Sequence, residues 1–170
     1  MPFDVRVSDA EELEEGPPHE VALENAWRKA AAVASGGAAE GAGEARPVLG
    51  VDTLVSLGSR IYGKPRDAAH AVAMLSELAG RRHLVISGLC LISGGVTRTA
   101  AAGTVVEFRD LDAAAIAAYV ATGEWAGRAG AYAIQGRGAT LVTRIEGDYL
   151  NVVGLPVPAL IDLAPSLIAP

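Results

Sequence analysis

The pattern of the chain predicts an α/β or α+β domain with a mixed β-sheet. Three observations carry that expectation. Val48-Leu49-Gly50-Val51-Asp52-Thr53-Leu54-Val55 has the Val and Leu content of a buried strand, and its length falls in the range of about four to eight residues such strands show. His83 to Ser93 and Thr97 to Phe108 read as two long strands joined by a Ser-Gly-Gly turn, a hairpin. Helical patterns alternate irregularly with these strands, as in a sheet flanked by helices.

The elements follow in order. Phe3-Asp4-Val5-Arg6-Val7 alternates apolar and charged residues and reads as a short strand. Asp9, Glu11, Glu12, Glu14 and Glu15 then form an acidic stretch, most of whose charges read as solvated surface. Glu20 to Val33 reads as a helix with an apolar stripe of Val21, Ala22, Leu23, Ala26, Ala30 and Val33, interrupted by Arg28 and Lys29. Ser35 to Pro47 is rich in Gly, Ala and Ser without periodicity and reads as a surface loop. After the Asp52 strand come the turns Leu57-Gly58-Ser59 and Gly63-Lys64-Pro65. Asp67 caps a helix running to Ala79, with Ala71, Val72, Met74, Leu75 and Leu78 on its buried face and Gly80 as its stop. Asp112 caps a second helix through Tyr119 and Val120 to Gly123. A strand from Ala139 to Ile145, a turn at Gly147-Asp148 and a short helix from about Pro158 to Leu163 complete the chain.

With 170 residues, one domain is expected, large enough to bury a core. The chain is 51% hydrophobic, much of it alanine, and no apolar run approaches the ~20 residues of a membrane-spanning helix. Its start lacks the basic and apolar regions of a secretory signal. The single cysteine, Cys90, lies in an apolar run and reads as a small buried hydrophobe; an internal disulfide and a zinc site built on thiolates are excluded. These features fit a cytoplasmic protein that needs no membrane. The net charge of −6 argues against wrapping long nucleic acid, whereas a mononucleotide needs only a few local cations.

Asp52 is the residue that asks for an explanation. A carboxylate inside an apolar strand is costly unless it is paired, holds a metal, or lies at a functional site; capping a turn at the strand's end is the plainer reading. Lys64 follows in a tight turn, and an acid with a lysine nearby suits metal-assisted phosphate chemistry. Gly58 to Lys64 has the G-x-x-x-x-G-K spacing of a phosphate loop, but Pro65 stands where Ser or Thr should hold Mg²⁺. Lys64 can still neutralise phosphate as a point charge. Arg128 to Gly138 places three glycines and two arginines around Gln135, which reads either as a close backbone approach to a ligand or as a bent strand with solvated arginines. His19, His70 and His83 read as structural, and Trp27 and Trp125 as packing residues.

Taken together these segments resemble the Maf family of nucleoside triphosphate pyrophosphatases. The resemblance rests on Val51-Asp52-Thr53, Gly63-Lys64-Pro65, Asp67 to Gly80, His83 to Gly88, Tyr119 to Glu124, Ala129 to Gly136, and Gly147-Asp148 to Gly154-Leu155-Pro156. Ser8-Asp9 to Glu12 and Asn25 to Ala30 fit as well, so the match covers nearly the whole chain in order. It implies an α/β fold with an elongated mixed sheet, flanked by helices, and two lobes around a central cleft. It implies a single Maf-like domain over residues 1–170, truncated at its N-terminus relative to the family: the Ser-x-Ser-Pro-Arg-Arg phosphate loop with which members open does not occur in the sequence.

The implied reaction splits a nucleoside triphosphate into monophosphate and pyrophosphate with a divalent cation, Mg²⁺ or Mn²⁺. The residue matching Asp52 would accept the proton of water, those matching Lys29 and Lys64 would face phosphates, and that matching Glu12 would lie at the active site; no metal-ligating residue is assigned. Asp-Thr at the acid, with Gln in Ala-Tyr-Ala-Ile-Gln-Gly, resembles the subgroup acting on dTTP and UTP. An amide offers one acceptor and a pair of donors, which complement the N3–H and carbonyl edge that uracil and thymine share. Gln135, with Thr53, is therefore expected to select the base, and modified pyrimidine nucleotides are further candidate substrates. The resemblance also suggests a homodimer. The competing expectation is a non-catalytic, nucleotide-binding or regulatory Maf-like protein.

Overall fold

The computed structural model describes residues 3–36 and 46–165. Among them, β1 (Val48–Leu57), β2 (Arg60–Tyr62), β3 (Arg82–Ser93), β4 (Val96–Phe108) and β5 (Val142–Glu146) form one sheet in the order β2-β1-β3-β4-β5. The helices are α1 (Pro18–Gly36), α2 (Ala68–Leu78), α3 (Ala113–Val120), α4 (Tyr149–Val153) and α5 (Val157–Leu163). The α/β class and the helix-flanked sheet agree with expectation. Strand directions differ from the mixed sheet expected: every pairing among the described strands is antiparallel. Two of those neighbours are joined by hairpins, which reverse the chain. Gly94 and Gly95, between β3 and β4, both have positive φ, as a two-residue primed turn requires.

Side chains alternate across β1 and β3, so each strand serves two cores. On one face Leu54 and Ile86 pack against Val21 and Ala22 of α1, and Cys90 packs against Ala26 and Ala30. On the other, Val55, Val85, Val106 and Phe108 meet Ala71, Leu75, Leu78, Ile116 and Tyr119 of α2 and α3. Phe108 is 2% exposed, and burying a side chain of this kind contributes roughly 1.5–3 kcal/mol. It stacks edge-on with His83 and Tyr132, at centroid distances of 4.7 and 4.8 Å.

α1 lies directly on the sheet, and the sequence permits this through small residues on both sides. A Cβ on Gly50 would strike the Ala26 carbonyl, and one on Gly88 would strike the Ala22 carbonyl. Gly88 is the register partner of Asp52. The close approach therefore lowers the polar side chains of α1 onto the strand that carries the acid.

Asp67 and Asp112 cap α2 and α3 as expected, each accepting a backbone N–H at 2.7 Å, from His70 and Ala115. Several elements differ from the sequence reading. Phe3–Val7 forms no strand, and Phe3, Val5 and Val7 are exposed: the alternation is present, but no described strand pairs with it. Val72 and Trp27 are also exposed. The expected 139–145 strand begins only at Val142, because Arg137–Leu141 coils into a 3₁₀ turn. Part of the expected 35–47 loop, residues 37–45, lies outside the described residues. Among the described residues no helix is long and apolar enough to cross a membrane.

Candidate active site

Asp52 sits mid-strand on β1 and is 7% exposed, so it caps no strand end. α1 compensates its buried charge. Lys29 Nζ lies 2.6 Å from Asp52 Oδ1, and Asn25 Nδ2 donates to Oδ2 at 3.1 Å. The spacing i, i+4 puts Asn25 and Lys29 on one face of the helix. A buried carboxylate left without such partners would be strongly destabilising.

The same helix face holds Glu12. Asn25 accepts the Leu13 N–H at 2.7 Å and donates to the Leu13 carbonyl at 3.0 Å, while Arg28 donates to the Glu11 carbonyl at 3.2 Å. Residues 11–13 have no regular structure, so these side chains set their position. Glu12 Oε1 thereby comes to 2.8 Å from Lys29 Nζ, and one ammonium bridges two carboxylates. Burial by itself lowers the pKa of Lys29, but the hydrogen bonds and charges of Asp52 and Glu12 outweigh it and hold the pKa above the usual lysine value. Burial likewise raises that of Glu12, and Lys29, with Lys64 behind it, holds it below the usual carboxylate value. Lys29 and Glu12 therefore both stay charged at neutral pH.

Lys64 stands at the rim, 3.7 Å from Glu12, with its side chain 60% exposed. Gly58-Ser59 is the β1–β2 turn and Arg60–Tyr62 is strand, so the G-x-x-x-x-G-K spacing builds no phosphate cradle. Lys29, Asp52, Thr53, Lys64, Arg128 and Gln135 all line one half-open pocket. Asp52 and Thr53 point to opposite faces of β1, so the pocket must wrap around the strand's edge. It can do so because β2 pairs with β1 only from Val55 onward. Thr53 is anchored on its own face, with its hydroxyl 2.7 Å from that of Ser87 and 3.4 Å from the Gly154 carbonyl.

The opposite wall, residues 127–138, is neither a strand nor a simple loop. Ala129–Ala131 and Arg137–Leu141 are 3₁₀ turns, and Gly130 and Ala131 both have positive φ. Single hydrogen bonds fix this backbone: Gly130 N–H to the Gly63 carbonyl at 3.1 Å, Ala133 N–H to Tyr119 Oη at 3.1 Å, and Arg137 N–H to Glu124 Oε2 at 2.7 Å. Beneath it, Tyr132 shares a hydrogen bond with buried His83 at 3.0 Å. Burial pushes the His83 imidazole down to about pKa 4, in keeping with a structural role.

The structure thus brings Asp52, Glu12, Lys29 and Lys64 together, all but Glu12 lining the pocket, and sets Gln135 in the facing wall. Sequence reasoning did not single out Asn25, Ser87, Tyr119 or Glu124 as parts of the site. Asn25 carried a signal: a polar residue among Val21, Ala22, Ala26 and Ala30, one turn before Lys29.

An ammonium shared by two carboxylates thus lies beside a pocket that Lys64 and Arg128 also line. The model for Maf-like proteins matches residues 1–167, and the chain belongs to the Maf family. It is 47% identical over 150 residues to a dTTP/UTP pyrophosphatase of Thermococcus kodakarensis, covering 88% of this chain and 77% of that protein. It is 45% identical over 163 residues to a dTTP/UTP pyrophosphatase of Gloeobacter violaceus, covering 95% and 83%. A third dTTP/UTP pyrophosphatase, from Bacillus cytotoxicus, is 43% identical over 163 residues, covering 95% and 82%.

Proposed function

We propose that this protein hydrolyses UTP and dTTP to the nucleoside monophosphate and pyrophosphate, with Asp52 as general base. The observation that carries the reading is the Lys29 ammonium, 2.6 Å from Asp52 and 2.8 Å from Glu12, at the edge of a pocket faced by Gln135. Relatives at 43–47% identity that are named dTTP/UTP pyrophosphatases support turnover over binding alone.

Attack at the α-phosphorus takes place among negative oxygens, so catalysis consists mostly of charge neutralisation and positioning. Asp52 takes a proton from water as the new P–O bond forms and the bond to the departing pyrophosphate oxygen breaks. Lys29 holds the Asp52 carboxylate in place and, with Lys64, offers positive charge to the phosphates. Gln135 reads the uracil or thymine edge, and Thr53, tied to Ser87 and Gly154, shapes the floor beneath the base. Modified pyrimidines that keep this edge are substrates of the same class.

The donor set suits a hard divalent cation. No cluster of three candidate ligands occurs among the described residues, but Mg²⁺ commonly takes one or two carboxylates and completes its shell with phosphates and water. Asp52 and Glu12 are the oxygens that would hold it. The cation would add positive charge at the triphosphate.

Pyrophosphate release from UTP, dTTP, CTP and GTP with Mg²⁺ or Mn²⁺ tests the proposal. Release from UTP and dTTP that falls ~10²–10⁴-fold in Asp52→Asn is expected. Nucleotide binding by the folded protein with no release from any nucleotide would overturn it.

A further inference from the structure

Gln135 is exposed, and its side chain makes no hydrogen bond to the protein among the described residues. Its direction therefore depends on the backbone on either side. Upstream, Ala133 N–H is held by Tyr119 Oη at 3.1 Å; downstream, Arg137 N–H is held by Glu124 Oε2 at 2.7 Å. The turn between them closes tightly, with Gly136 N–H on the Ala133 carbonyl at 3.1 Å. Glu124 also fills the space beside the next residue. A Cβ on Gly136 would strike its carboxylate oxygen and lie 2.9 Å from its Cδ. Glu124 is itself fixed, since its N–H donates to Thr122 Oγ1 at 3.2 Å and that hydroxyl donates to the Tyr119 carbonyl at 2.7 Å. The end of α3 thus supplies both anchors of the Gln135 turn.

We propose that Glu124 is a positioning residue for base selection, acting through the Gly136–Arg137 backbone to fix where the Gln135 amide is presented. The inference rests on the pyrophosphatase reading and on Gln135 as the base reader. The anchor needs an acceptor oxygen at this place, not a negative charge. Glu124→Gln retains an oxygen; Glu124→Ala removes it and leaves Arg137 N–H to solvent. Gly136→Ala attacks the same contact from the other side.

The test is the ratio of kcat/KM for UTP over CTP in wild type, Glu124→Ala, Glu124→Gln and Gly136→Ala, with UMP and CMP affinities measured in parallel. Glu124→Ala and Gly136→Ala are expected to lower the UTP preference about fivefold or more, through KM, and Glu124→Gln to stay within about twofold of wild type. A general structural defect would lower kcat for both nucleotides together and leave the ratio unchanged. An unchanged ratio in folded Glu124→Ala, or a loss in Glu124→Gln equal to that in Glu124→Ala, would overturn the inference. Wild type releasing no pyrophosphate would instead sink the parent reading; the UMP/CMP affinity ratio would still decide the role of Glu124.

Discussion

Around Asp52, side chains bond to side chains on a helix pressed against a sheet; around Gln135, backbone amides bond to single oxygens from other elements. The first arrangement is redundant. Asp52 has two partners, Lys29 bridges two carboxylates, and Asn25 makes three hydrogen bonds. The second is not, because each backbone amide of the turn has one anchor. Charge chemistry requires fixed positions, and the rigid scaffold supplies them. Selection of a base edge requires only that one amide point correctly. The two walls should therefore fail in different ways, one through kcat and the other through selectivity.

Among changes made around Asp52 rather than at it, Lys29→Met should produce the largest effect. It removes the cation that compensates buried Asp52, and loss of one preorganised group of this kind costs ~10²–10³ in rate. The measurement is kcat for UTP beside the UTP/CTP ratio. A fall in kcat with the ratio unchanged is expected; a changed ratio with kcat intact would break the division between the walls.

Of the acid end, Asp52 was legible in the sequence as a carboxylate in an apolar strand and Lys64 as a lysine in a tight turn. Lys29 read only as a break in a helix's apolar stripe and Glu12 as part of an acidic stretch, and only the family resemblance gave those two a role. The strands β1, β3 and β4 and the helix α2 were legible too, since apolar runs, a hairpin turn and an Asp cap are local signals; the three-residue β2 was not. Nor was the far wall. Its turns come from positive φ at Gly130 and Ala131 and from anchors at Tyr119 and Glu124, and neither leaves a periodic pattern. Phe3–Val7 misled for the converse reason: alternation records a strand's faces but not whether a neighbour exists to pair with it.

His83 tests the underside of the far wall. It is 3% exposed, and burial sets its folded pKa at about 4, against about 6.5 in an unfolded chain. Between those values the unfolded chain binds a proton that the folded protein does not. Stability is thus full above about pH 6.5 and declines towards pH 4, by about 3 kcal/mol in all. Glu12 keeps its charge through most of this window, because Lys29 outweighs the opposing effect of burial. Thermal unfolding should show Tm falling from pH 6.5 to 4.5, with a shallower slope in His83→Leu. Equal slopes would assign the acid sensitivity elsewhere.

Gly88→Ala strikes the acid end without altering a polar side chain. Its Cβ would collide with the Ala22 carbonyl, so α1 must lift, carrying Asn25 and Lys29 away from Asp52. Overpacking of this kind costs about 1–3 kcal/mol, and a displacement near 1 Å can cost up to ~10² in rate; a loss of about tenfold in kcat is expected, with Tm lowered. The far wall rests on α3 and on Gly63 rather than on α1, so the UTP/CTP ratio should stay within about twofold. That is the reverse of the Glu124→Ala signature, in which the ratio moves and kcat does not. If Gly88→Ala shifted the ratio as strongly as kcat, the walls would be coupled through β1, whose residues Asp52 and Thr53 line the pocket from opposite faces. Selectivity would then be set by the position of the strand as a whole and not by the turn that carries Gln135.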